Sequence, residues 1–175
     1  MNRARTAAHL VRRFAGSVRP GSPRPGDERW AESHLSAGEI PLWRRMSNPD
    51  RRHAVGVARA VVEELGPDVD RRVVAAALLH DVGKVVCGYR TPARVVATLV
   101  WAVVDDDRVP VWCHRGRPWR RLAQYRSHPE LGAELIRQAG GDPLTAAWAA
   151  EHHRPAEQWT VPRAVAVVLK ACDGD

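Results

Sequence analysis

An all-α bundle is the fold class this chain predicts, on three observations. Helix start signals recur along it, each followed by apolar residues spaced three and four apart. One segment, residues 73–79, is apolar on every side, as a central helix must be. The apolar–polar alternation of a half-buried strand is nowhere sustained. A compact helical bundle follows.

The elements can be justified in order. Residues 1–26 form an Arg-rich arm whose second half holds Gly16, Pro20, Gly21, Pro23, Pro25 and Gly26, too dense a set of breakers for a helix. The arm reads as flexible, with one helical turn at 9–14. Residues 27–175 read as a single helical domain. Asp27 is placed to cap a helix through Leu35. Ser36-Ala37-Gly38-Glu39 has the capping-box pattern and opens a short helix through Met46. Ser47-Asn48-Pro49-Asp50 is another start, with proline in the first turn where its missing N–H is harmless. The helix it opens carries His53, Val57, Ala58, Val61 and Leu65 on one stripe, and Gly66-Pro67 stops it. Asp68 or Asp70 caps the apolar helix, and Gly83 is expected to end it. Thr91-Pro92 opens a helix through Val104, halted by Asp105-Asp106-Asp107. Residues 108–118, with Pro110, Gly116 and Pro118, are expected to be irregular. Further helices are expected over 119–125, 128–139, 142–153 and 162–171.

Composition narrows the function classes. A chain of 175 residues is long enough to bury a core as one domain. Residues 95–104 are the most apolar run and far too short to span a bilayer. No apolar stretch of signal-peptide length follows the N-terminal arginines, so no targeting peptide is expected. Cys87, Cys113 and Cys172 form no CxxC pair, and three free thiols suit a reducing cytoplasm. The net charge of +7 admits a polyanionic partner, although a solvated basic surface explains it as well. Basic residues are 25 Arg against 2 Lys, a bias of the kind expected from a GC-rich bacterial genome. Lys84 therefore stands where the chain's habit would place Arg, and a compact point charge is not equivalent to a planar fork.

Chemistry is concentrated in His and Asp. The apolar helix ends in His80-Asp81, then Gly83-Lys84. Desolvating an imidazole and a carboxylate there is costly unless something binds them. About 0.5 His-Asp dipeptides are expected by chance in such a chain, so the pair identifies nothing alone. Position adds the information. His53 lies on an apolar stripe, His128 opens a helix, His152-His153 close one, and Asp173 follows the apolar run 165–169. Five inward histidines would each need a separate hydrogen-bonding partner. One dinuclear metal site satisfies them together.

His53, His80-Asp81 with Gly83-Lys84, His128-Pro129-Glu130-Leu131-Gly132, His152-His153 and Asp173, in that order between about residues 50 and 173, resemble the HD superfamily of metal-dependent phosphohydrolases. The wider ligand set is similar to the two-metal HD-GYP branch. The resemblance implies that His53, His80, Asp81 and Asp173 hold one ion, and that Asp81 bridges to a second held by His128, His152 and His153. Mixed imidazole and carboxylate ligation suits Fe, Mn, Zn or Ni, with Mg a further choice, for one or two divalent ions. Such ions activate a water and clamp phosphoryl oxygens. Asp81 and Lys84 are then the catalytic candidates, Lys84 neutralising a non-bridging oxygen. The ordinary alternative for Lys84 is a cation at a helix C-terminus. After His152-His153 comes Arg154-Pro155-Ala156-Glu157-Gln158-Trp159, with neither the acidic residue nor the Gly-Tyr-Pro signature of the branch, which argues against cyclic-di-GMP as substrate.

The activity implied is hydrolysis of a nucleotide or other small phosphoester, with Lys84, Arg126 and Arg154 as substrate-phosphate contacts. Residues 112–126 interleave Arg115, Arg117, Arg120, Arg121 and Arg126 with Trp112, Trp119 and Tyr125, a pattern suited to nucleic acid or an anionic membrane surface as well as to a solvated face. Two other classes remain: an HD-type di-iron oxygenase, marked by need for dioxygen, and a non-catalytic metal- or nucleotide-binding regulator. The regulator is disfavoured because no expected ligand is replaced.

Overall fold

Residues 21–89 and 91–174 are described by the computed structural model of the chain, and every regular element among them is a helix. Residues 1–20, with the turn expected at 9–14, lie outside the described residues. Helix α1 spans Pro25–Ser33, so the boundary expected at residue 26 falls inside its first turn. Arg24 takes the cap position, Pro25 the first turn, and Asp27 faces the positive end of the dipole rather than capping it.

Helix α2 spans Glu39–Arg45 behind a reciprocal capping box. The Ser36 N–H donates to Glu39 Oε2 at 2.8 Å, and the Glu39 N–H donates to Ser36 Oγ at 3.3 Å. Helix α3 spans Asn48–Leu65, capped by Ser47 and stopped at Gly66, whose φ of 92° only glycine adopts without strain. Helix α4 spans Arg71–Leu79, and Asp70 rather than Asp68 caps it, accepting from the Arg72 N–H at 2.8 Å. Its residues 73–79 are all buried, because α3, α10 (Pro143–Glu151) and α11 (Arg163–Asp173) pack around it. Full burial of a Val or Leu side chain is worth about 1.5–3 kcal/mol, so this helix anchors the fold.

Gly83 does not end that helix. α4 finishes at Leu79, a turn follows, and α5 (Lys84–Cys87) begins immediately after Gly83. Gly83 has an ordinary φ of −61°, so conformation does not require it. Space does: a Cβ there would lie 1.9 Å from the His128 carbonyl oxygen and 2.6 Å from the Gly132 nitrogen.

Helix α6 (Thr91–Trp101) ends three residues before the expected stop, and α7 (Arg108–Cys113) forms inside the stretch expected to be irregular. Pro110 sits in the first turn of α7, where its missing N–H would have had no helical acceptor. Helices α8 (Arg117–Arg126) and α9 (His128–Gln138) follow, then α10, capped by Asp142. A 3-10 turn at Ala156–Gln158 leads to α11, which runs two residues past its expected end and includes Asp173 in its last turn. The core thus holds α3, α4, α9, α10 and α11, with Trp43, Trp148, Leu78, Leu79, Ile136 and Leu169 among its fully buried side chains. Helices α6, α7 and α8 form an outer layer that meets the rest chiefly through α8, against α5 and α9, with Arg94 of α6 pairing with Asp50 of α3.

Candidate metal centre

Six of the seven candidate ligands stand at helix ends. His80-Asp81 follow the last residue of α4, His128 is the first residue of α9, His152-His153 follow α10, and Asp173 ends α11. His53 projects from the second turn of α3. The packing of α3, α10 and α11 around α4 brings these positions to one end of the core.

The structure gathers them into two groups. Ligand atoms of Asp81, His128, His152 and His153 all lie within 4.8 Å of one another, as do those of His53, His80 and Asp173. Asp81 joins the groups. Its Oδ1 lies 3.3 Å from His128 Nε2 and 3.7 Å from His152 Nε2, while its Oδ2 lies 3.5 Å from His80 Nε2. Asp173 Oδ1 is 2.9 Å from His53 Nε2 and 3.5 Å from His80 Nε2. Two atoms each about 2.1 Å from a common ion stand roughly 3–4 Å apart, so these separations suit ligands that share an ion.

Backbone carbonyls orient the rings. His80 Nδ1 donates to the Ala77 carbonyl at 2.8 Å, His128 Nδ1 to Tyr125 at 2.8 Å, and His152 Nδ1 to Ala149 at 2.9 Å. A carbonyl only accepts, so each Nδ1 carries the proton and each Nε2 lone pair points into the cluster. The Nε2 atoms of all three, and Asp173 Oδ2, are buried without a hydrogen-bond partner among the described residues. Orphaned buried polar atoms are costly, and four in one place indicate a missing ligand. The Nδ1–carbonyl bond with Nε2 left free is the arrangement that fixes a metal-binding imidazole.

Charge is concentrated on the carboxylates. Burial pushes the Asp81 carboxyl up, but Lys84, His80 and the other imidazoles outweigh it and hold it well below the ordinary range. Asp173 is likewise held below that range against its burial, by His80 and then by the hydrogen bond from His53. For His80, burial lowers the pKa and the carboxylates of Asp81 and Asp173 overcome it, raising it to about 9. His152 moves down, chiefly through burial. Without an ion, protons balance the carboxylates; an ion would displace them.

Lys84 is 14% exposed and pairs directly with Asp81. Its ammonium is raised against burial by Asp81 and then Asp50. Asp50 is a residue that the sequence marked only as a helix start. It is buried, accepts from Ser47 Oγ at 2.7 Å and pairs with Arg94, whose Nε donates to the Tyr89 carbonyl. Neither Asp50 nor Arg94 had a signal as part of the site, because a first-turn acid is normally exposed and its partner is 44 positions away. Arg126 and Arg154 each meet a carboxylate outside the candidate ligand set. Arg126 makes a bidentate pair with Asp106 at 2.5 and 2.7 Å, and Arg154 reaches Glu130 at 3.3 Å.

Among known families, the HD domain matches residues 51–174, a span that begins in α3 and takes in all seven candidate ligands. No curated protein and no solved structure matches the chain. With 124 of its 175 residues inside that match, the chain belongs to the HD domain family, a superfamily of metal-dependent phosphohydrolases.

Proposed function

We propose that the protein hydrolyses a nucleotide or other small phosphoester, using divalent ions held by His53, His80, Asp81 and Asp173 on one side and by Asp81, His128, His152 and His153 on the other. The observation that carries this reading is the set of three buried Nε2 atoms and one Asp173 oxygen left without partners and turned into one space. The donor set is imidazole-rich, which suits Fe, Mn, Zn or Ni better than Mg. When bound, such ions lower the pKa of a coordinated water toward neutrality and polarise phosphoryl oxygens.

The chain's own residues do the rest. Asp81 remains ionised and offers one oxygen to each group, so its loss affects both. The Ala77, Tyr125 and Ala149 carbonyls hold three rings in the tautomer that presents Nε2. Lys84 stays protonated beside Asp81 and can meet negative charge developing on a phosphoryl oxygen. Arg126 and Arg154 are about half exposed, in pairs with Asp106 and Glu130. Exposed pairs are worth about 0–1 kcal/mol, so exchanging either carboxylate for a substrate phosphate costs little.

The test is a screen of nucleotides and phosphodiesters with the metal-reconstituted protein, reading phosphate or nucleoside monophosphate release. Hydrolysis that Asp81→Ala abolishes while helical content is retained supports the reading. A product that forms only in dioxygen would replace it with the oxygenase. Metal binding with no turnover across the panel would favour the regulator.

A further inference from the structure

Helix α6 is apolar on both sides. Its inward stripe packs Ala97, fully buried, with half-buried Val100 and Trp101. Its outward stripe is also apolar: Val96 is 59% and Leu99 64% exposed, and Val103, in the turn beyond, is 85% exposed. A helix on a water-facing surface ordinarily carries its charges outward. The one charged side chain of α6, Arg94, is instead turned in to Asp50 and the Tyr89 carbonyl. Exposed Val111 of α7 and Trp119 of α8 belong to the same layer, which Trp101, Trp112 and Trp119 bind together with ring centroids 5.1 and 4.9 Å apart.

The layer is also cationic. Residues 91–126 hold seven arginines against three aspartates. Asp106 and Asp107 are already paired with Arg126 and Arg108. Arg115, Arg117 and Arg120 are exposed and form no ion pair among the described residues. Arg117 and Arg120 line, with Arg121 and Gln124, a concavity of about 530 Å³ that no carboxylate enters. Arg121 is fixed there, donating to the Cys87 and Gly88 carbonyls at 2.6 Å each and lying over the Tyr89 ring.

We infer that the α6–α8 layer is a docking surface for an anionic phospholipid membrane, with Val96, Leu99, Val103 and Trp119 entering the interface and Arg117 and Arg120 meeting headgroup phosphates. The layer carries an exposed apolar stripe on α6 and, on the neighbouring α8, guanidinium groups with no ion pair among the described residues, a combination complementary to lipid, which supplies acyl chain and anion together. Tryptophan favours such boundaries because its ring is apolar and its N–H polar. A second copy of the chain is a poorer occupant, since a two-fold interface would set the same unpaired arginines against one another.

The experiment is co-sedimentation of the full chain with vesicles of phosphatidylcholine alone and of an equal mixture with phosphatidylglycerol. The mixed vesicles should retain at least about tenfold more protein, with binding that falls as salt rises. Leu99→Asp and Val96→Asp, at exposed positions, should each lower retention about tenfold without moving the melting temperature. Paired Arg117→Gln and Arg120→Gln changes should remove the preference for anionic vesicles. Equal retention on both vesicle types, or retention that neither set of variants alters, overturns the proposal. So does a dimer, seen by sedimentation equilibrium without vesicles, that Leu99→Asp dissociates; the face would then belong to a second copy.

Discussion

The converging helix ends at the core and the outer α6–α8 layer break the usual partition of side chains in opposite directions. At the core, imidazoles and carboxylates are buried with four polar atoms unsatisfied. In the outer layer, large apolar side chains lie in the open, and Arg115, Arg117 and Arg120 meet no carboxylate among the described residues. Both are costly arrangements for an isolated chain, since buried polar groups want partners and exposed apolar patches want cover. The partners they call for differ in kind. The first needs a small cation that accepts several lone pairs at once; the second needs an extended surface, apolar beneath and anionic on top. Packing explains the difference: the ligands sit where five helices converge, whereas α6 packs chiefly on α8, reaches the core through Arg94 and Asp50, and leaves Val96 and Leu99 exposed.

Perturbing the core should produce the larger effects. Asp81→Ala removes the one carboxylate that faces both groups and should lower phosphoester turnover by at least about 10²–10³-fold, measured under saturating metal. Next comes Gly83→Ala. A methyl group there would overlap the His128 carbonyl oxygen, so α5 and α9 must part. Denaturant melts should show a loss of about 1–3 kcal/mol, with weakened metal retention because His128 moves. Metal itself is the third lever. Adding Mn or Zn to chelator-stripped protein at about 100 times its dissociation constant should stabilise it by about 2.7 kcal/mol, read as a rise in melting temperature that EDTA reverses and Asp81→Ala largely removes. Lys84→Met should lower kcat about tenfold or more with metal content unchanged, and Lys84→Arg should restore little, because the pocket beside Asp81 suits a point charge.

The outer layer should be nearly silent in the same assays. Leu99→Asp is expected to change stability by less than about 0.5 kcal/mol and to leave turnover of a soluble substrate untouched. A large loss of turnover on changing Leu99 would dissolve the comparison, because the two regions would then be one functional unit.

Much of the fold was legible in the chain. The caps at Ser47, Asp70 and Asp142, and the capping box at Ser36 and Glu39, all form. They are local devices whose hydrogen bonds span two or three residues. The residues named as candidate ligands are close in space, and they were readable because each stands beside an apolar run at or near a helix end. What the chain concealed depends on distant partners. Asp50 looked like a helix start, and only packing sets it beside Arg94 and near Lys84. Gly83 looked like a helix stop, and only the approach of α9 shows why no side chain fits. Pro110 looked like a break, yet a proline in the first turn costs α7 nothing. The apolar stretch at 95–104 was visible, but without a polar stripe nothing in it marks which side stays exposed.

The central claim is a two-ion centre that Asp81 joins, and metal stoichiometry tests it most directly. Elemental analysis of the chain, stripped with chelator and reloaded with Mn or Fe under reducing conditions, should find two ions per chain. His128→Ala should leave one, by sparing the His53, His80 and Asp173 group, and Asp81→Ala should weaken retention of both. Fewer than one ion per chain in the unaltered protein, or occupancy indifferent to Asp81, would contradict the account.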